Sequence, residues 1–155
     1  MEHIYDSMTL EDFDMLGKKL AALLDGGGFI AFFGDLGAGK TTLVKLIAKN
    51  LGITEIASPT FTVVREHETS DKKAFFHFDA YRLEDEDELS AIGFDDYIER
   101  AKDGIIVMEW SENVLGLLPD DRLDIAITGS GDMKRTVKLS AYGKHHESIL
   151  RGLLA

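Results

Sequence analysis

The segment Gly34-Asp35-Leu36-Gly37-Ala38-Gly39-Lys40-Thr41-Thr42 constrains this chain more than any other. From Gly34 to Thr41 it satisfies the phosphate-binding pattern G-x-x-x-x-G-K-[ST]. At average composition that pattern arises by chance in roughly one chain of this length in 200. The flanks narrow it further. Phe29–Phe33 is a short apolar run suited to a buried strand, and Leu43, Leu46, Ile47 and Leu51 follow at the spacing of an amphipathic helix. The loop therefore joins a strand end to a helix N-terminus, where amides and dipole favour an anion. The glycines let the backbone curl with its N–H groups inward. In that arrangement Lys40 reaches the β- and γ-phosphates of a nucleotide, and the Thr41 hydroxyl ligates Mg²⁺.

The rest of the chain supplies a frame for such a loop. Thr9 reads as the N-cap of a helix carrying Phe13, Leu16, Leu20, Leu23 and Leu24, stopped at Asp25-Gly26-Gly27-Gly28. Helix is expected from the loop to about Leu51, ended by Gly52. Ser58-Pro59-Thr60-Phe61-Thr62 reads as a loop entering a strand over Phe61–Val64, because proline holds Ser58 extended. Its hydroxyls suit either a nucleotide-ordered switch or an ordinary polar turn. A hairpin turn at Thr69–Lys73 leads into a strand, Ala74–Asp79, that ends in a carboxylate. Asp79 there either holds Mg²⁺ or its water, or caps a turn. His77, among aromatics, reads as a satisfied core histidine. Arg82 suits either phosphate or the neighbouring acids. The run Glu84-Asp85-Glu86-Asp87-Glu88 suits a solvated helix N-terminus or an acidic partner surface, with two short helices broken near Gly93.

Ile105-Ile106-Val107-Met108 is a continuous apolar run, as in a buried parallel strand, and it stops at Glu109. An acid there, downstream of a phosphate loop, has the form of a second metal-site element. Glu109 either binds Mg²⁺, directly or through water, or orients an attacking water, or is a plain surface acid. Trp110 suits a core anchor or an aromatic contact face. Leu123–Ile127 and Arg135–Ala141 alternate as an antiparallel hairpin. A final helix opens at His145-His146, both read as surface residues, and carries Ile149, Leu150, Leu153 and Leu154. The pattern as a whole is α/β: three layers around a central mixed, mainly parallel sheet, with an antiparallel hairpin near the C-terminus.

Composition sets the outer limits. One domain over 155 residues is expected, and 45% hydrophobic residues suffice for a core. The chain has no cysteine, which removes disulfides and thiolate metal sites and fits a reducing, cytoplasmic compartment. Met1–Asp6 has no signal-peptide pattern, and no apolar stretch approaches the roughly 18 residues of a membrane span. The net charge of −11 argues against direct tRNA or DNA binding, since phosphate affinity rests on Lys and Arg.

Four segments together resemble the TsaE family: Gly34 to Thr42, Ser58-Pro59-Thr60-Phe61, His77-Phe78-Asp79-Ala80-Tyr81-Arg82-Leu83, and Glu109-Trp110. The resemblance covers nearly the whole chain. It implies a P-loop NTPase fold and a weak Mg²⁺-dependent ATPase needed for threonylcarbamoylation of tRNA adenosine 37. It further implies action with a TsaB–TsaD heterodimer, with tRNA reached only through those partners. By the resemblance, Asp35, Leu36, Gly37, Ala38, Gly39, Lys40, Thr41 and Thr42 hold nucleotide. Thr60 matches a switch-like loop, and Thr9 and Arg135 fall near the base or rim. Thr41, Glu109 and Asp79 match magnesium positions, and Lys40, Asp79 and Glu109 are the expected catalytic residues. Trp110 matches a tryptophan near the active site, and His67 departs from a tyrosine common in the family. The alternative reading is a small-molecule or nucleoside kinase with the same loop. It needs an acceptor pocket and usually an arginine-rich lid, and no basic lid segment appears. A non-hydrolysing, nucleotide-gated interaction module is a third.

Overall fold

Among the described residues seven strands form one sheet: β1 (Glu2–Met8), β2 (Gly28–Phe33), β3 (Val64–Glu68), β4 (Ala74–Asp79), β5 (Ile105–Glu109), β6 (Arg122–Thr128) and β7 (Arg135–Tyr142), in spatial order β1-β7-β6-β2-β5-β4-β3. Among the same residues five helices flank it: α1 (Leu10–Leu23), α2 (Lys40–Lys49), α3 (Glu86–Ala91), α4 (Phe94–Arg100) and α5 (Lys144–Leu154). A pair of 3₁₀ turns over Ser111–Leu117, kinked at Val114, follows β5. The computed structural model describes residues 1–35, 37–56 and 63–155.

The central strands β6, β2, β5 and β4 run parallel, while β3, β7 and β1 pair antiparallel towards the edges. This is the expected mixed sheet, with β6 and β7 as the expected hairpin. β2 and β5 are apolar at successive positions because helices cover both their faces. Ile30, Phe32, Ile105 and Val107 face α1, α2 and α5, whereas Phe29, Ala31, Ile106 and Met108 face α3, α4 and the 3₁₀ turns. On that second face Phe78 meets Phe94 edge-to-face at 5.3 Å, both fully or almost fully buried. Each such ring contributes about 1.5–3 kcal/mol by leaving water.

Helix starts follow the local chemistry. Thr9 caps α1 as expected: its side chain accepts from Asp12 N, and the Asp12 carboxylate accepts from Thr9 N. Asp85 caps α3, so part of the acidic run marks a helix start. The helices α3 and α4 break at Gly93, whose φ of 85° suits glycine. Helix α2 stops at Lys49, two residues short of the expectation, where Asn50 and Leu51 turn back on Leu46 and Ala48.

Two features differ from the sequence reading, and one expectation falls on residues not described. Strand β1 lies in a stretch with no clear alternation; pairing with β7 holds it, a force its own pattern does not encode. The expected strand start at Phe61 and Thr62 lies outside the described residues, and β3 begins at Val64. His146 is buried, not on the surface. Its Nδ1 donates to Asp121 Oδ1 and its Nε2 accepts from Phe29 N at 2.9 Å, tying α5 to the start of β2. His146 shares the helical stripe of Ile149, Leu150 and Leu153, so the sequence carried that signal. His145 is exposed, as expected.

Candidate functional site

The parallel strands deliver their carboxyl ends to one edge of the sheet, where ligand crevices form in open α/β sheets. β2 ends at Phe33, the glycine-rich loop follows, and α2 begins at Lys40. β4 and β5 end side by side, with Asp79 directly opposite Glu109 in the register. Gly34, Lys40, Thr41, Asp79 and Glu109, distant in sequence, are thereby brought together, as expected for a loop flanked by acids.

The loop's shape depends on its glycines. Gly34 has φ of 137°, and a Cβ there would lie 2.3 Å from Ile127 O of the neighbouring strand. Gly39, with φ of 110°, packs against the Phe13 ring of α1. Gly37, with φ of 81°, is open to solvent. Arg135 braces the loop from β7: its Nε donates to Ala38 O at 2.9 Å, and its other nitrogens donate to Met133 O and Gly131 O. Met8 pairs with Arg135 across β1 and β7, which brings Thr9 to the same flank. Thr9 Oγ1 accepts the Asp12 N–H as a helix cap, and Arg135 directs three of its five N–H groups at backbone carbonyls.

Lys40 is buried and curls back over the loop. Its Nζ donates to Gly34 O and to Asp35 O, the latter at 3.1 Å, and lies 3.8 Å from the centre of the Trp110 ring. Two of its three N–H groups are thus used among the described residues. Burial pushes the Lys40 ammonium below its usual range, against the pull of the Glu112, Glu109, Asp79 and Asp35 carboxylates. Trp110 is held at a positive φ of 58°, uncommon for a bulky residue, and stacks against the exposed Tyr81 at 4.9 Å. It is both a contact for Lys40 and part of an aromatic rim.

The Thr41 hydroxyl donates to Glu109 Oε1 at 2.6 Å. Glu109 is buried, and its Oε2 meets His77 Nε2 at 2.5 Å. Asp79 Oδ1 accepts from Tyr81 N at 3.0 Å, so this acid caps a turn while facing the crevice. Burial pushes the Asp79 carboxyl up, the Tyr81 N–H opposes that, and Glu109 adds to it. Asp35 and Thr42 are exposed on the loop and the first turn of α2. Leu36, Ser58, Thr60 and Thr62 lie outside the described residues.

The donor chemistry fits a hard cation. Thr41 Oγ1 and Glu109 Oε1 adjoin each other, and Mg²⁺ takes few protein oxygens and completes its shell with water and phosphate. Among the described residues no cluster of three or more His, Cys, Asp or Glu side chains is set to hold a metal alone.

Two participants escaped the sequence. Glu112 Oε2 accepts from Gly34 N at 3.3 Å, because the turn after β5 sends it back to the loop; nothing in its spacing signals this. His77, read as a plain core residue, touches Glu109. Its signal lies in the alternation it shares with Asp79, which puts both on one face of β4.

Fold and site together define the class: a three-layer α/β protein whose glycine-rich loop between β2 and α2 lies beside the strand-end acids Asp79 and Glu109. The family can be stated as well. The model for "Threonylcarbamoyl adenosine biosynthesis protein TsaE" matches residues 7–137, and the chain belongs to the TsaE family. It is similar to the tRNA threonylcarbamoyladenosine biosynthesis protein TsaE of Bacillus subtilis strain 168, 38% identical over 92% of this chain and 88% of the relative. The Haemophilus influenzae protein of the same name is 40% identical over 90% of this chain and 91% of its own. The crystal structure of Bacillus subtilis YdiB superposes with a TM-score of 0.81 at 30% identity, covering 99% of this chain and 95% of that one. No helix among the described residues is long and apolar enough to cross a membrane.

Proposed function

We propose that this protein binds ATP with Mg²⁺ at the Gly34–Thr42 loop, hydrolyses it slowly, and uses that cycle in the threonylcarbamoylation of tRNA. Family membership supports the pathway. The observation that carries the nucleotide reading is the meeting of Lys40, Thr41 and Glu109 at the end of β2, with Thr41 Oγ1 2.6 Å from Glu109 Oε1.

In this reading the loop amides and the remaining Lys40 N–H bind the phosphates. Thr41 Oγ1 and Glu109 Oε1 would hold Mg²⁺, which supplies charge neutralisation at the phosphate oxygens. The Thr41 hydroxyl keeps its hydrogen on Glu109 and offers its lone pair outward. Glu109 also orients water, and Asp79 adds negative charge that a cation relieves. Trp110 covers Lys40 from below and keeps water from it.

A chain of net charge −11 is poorly suited to grip tRNA, so the cycle acts through protein partners. The TsaB–TsaD pair is the proposed partner, with ATP turnover resetting it between rounds. The test is tRNA modification reconstituted with and without this chain. Multi-turnover yield is expected to fall to about one round without it, and equal yield in both would end the proposal.

A further inference from the structure

His77 sits in the middle of β4 with no solvent exposure. Its neighbours Phe75 and Phe78 show that an apolar ring fits this strand, and both are fully buried too. A histidine is the costlier choice, because its Nδ1 is buried with no hydrogen-bond partner among the described residues. Its other nitrogen explains the position. A carboxylate oxygen only accepts, so at the Glu109 contact Nε2 carries the hydrogen and donates to Oε2.

Glu109 is consequently gripped from two sides. Thr41 donates to Oε1 and His77 donates to Oε2. A glutamate at a strand end otherwise has three side-chain torsions to settle, and its last torsion is broad. Two donors on two oxygens leave one orientation. The register makes this possible: β4 and β5 are parallel, with His77 beside Val107 and Asp79 beside Glu109, so both histidine and acids face α2.

We infer that His77 is a positioning residue whose Nε2–H fixes Glu109 so that Oε1 is aimed at the Thr41 hydroxyl. The inference rests on the Mg²⁺–ATP reading of the site. It adds that the cation-facing geometry of Glu109 is set from behind, by a residue that touches neither nucleotide nor metal. His67, on the same face of β3, has a buried Nε2 with no hydrogen-bond partner among the described residues.

Two variants separate positioning from packing. His77→Phe keeps a flat ring and removes the donor, and His77→Gln returns an N–H at similar reach. In metal-free, nucleotide-free wild type, imidazole ¹⁵N shifts should show His77 with a hydrogen on Nε2, and Glu109→Gln should move the Nε2 resonance. His77→Phe should keep its metal-free ATP affinity within about twofold, lose most of the affinity that Mg²⁺ adds, and drop kcat by about tenfold or more. His77→Gln should recover kcat to within about threefold of wild type. A folded His77→Phe with unchanged Mg²⁺ gain and kcat overturns the inference. Should His77→Phe not fold, a bare Nε2 in the wild-type spectrum, or a folded His77→Gln as slow as Glu109→Gln, overturns it instead. Wild type that binds no Mg²⁺–ATP brings down the site reading itself, a result visible before any variant is made.

Discussion

Replacing His146 by leucine tests how the loop-bearing strand is anchored at its far end. His146 Nε2 accepts from Phe29 N at 2.9 Å in a buried setting, and Nδ1 donates to Asp121 Oδ1. Leucine fills the space but leaves the Phe29 N–H unpaired, which costs about 1–3 kcal/mol. The Asp121 contact adds little, about 0–1 kcal/mol, because that carboxylate is partly exposed and regains water. The expected loss is about 1–4 kcal/mol, a fall in Tm of about 2–16 °C for a chain of this size. A second signature comes from pH. Burial lowers the His146 pKa below the ordinary histidine value, against the pull of Asp121. Below about pH 6.5 the unfolded chain therefore takes up a proton that the folded one refuses, and stability drops as pH falls, by up to about 1.4 kcal/mol per unit. The His146→Leu variant lacks this site. Urea unfolding at about pH 8 and about pH 5.5 should find the gap between wild type and variant wide at the higher pH and narrower at the lower. Burial lowers His67 in the same direction, so the comparison is between proteins, where that contribution cancels. An equal gap at both pH values, or a variant within about 0.5 kcal/mol of wild type at the higher one, would refute the anchoring argument.

Lys40→Ala removes a charged donor to phosphate and should weaken ATP binding by about 10- to 100-fold in calorimetry. Glu109→Ala should instead lose turnover more than binding, and unchanged turnover removes Glu109 from the mechanism. Thr41→Ala should bind ATP with similar affinity with and without Mg²⁺, read by the same titration; a retained metal effect would show that the hydroxyl is not a ligand. Gly34→Ala should disturb the loop far more than Gly37→Ala. A Cβ at Gly34 meets Ile127 O at 2.3 Å, whereas at Gly37 it meets open space and only the positive φ, about 1–2 kcal/mol, opposes it. Thermal melts of the two variants give the order.

The sequence by itself determined the parts whose causes are local. The loop's spacing, the apolar runs of β2 and β5, the Thr9 cap and the Gly93 break are each encoded within a few residues, and all lie where the reading put them. Strand-end positions of Asp79 and Glu109 were legible because a buried parallel strand is apolar until it reaches solvent or a site. What only the tertiary structure decided depends on neighbours that are distant along the chain. Strand order set Asp79 opposite Glu109, and the pleat carried His77 onto Glu109. A positive φ at Trp110 turned its ring under Lys40 and sent Glu112 to Gly34 N. Arg135 reaches back from β7 to the Ala38 carbonyl, and His146, expected at the surface, anchors β2. Hydrophobic periodicity specifies which face is buried; it does not specify which buried polar atom meets which, since that pairing is fixed by register between strands and helices far apart in the chain.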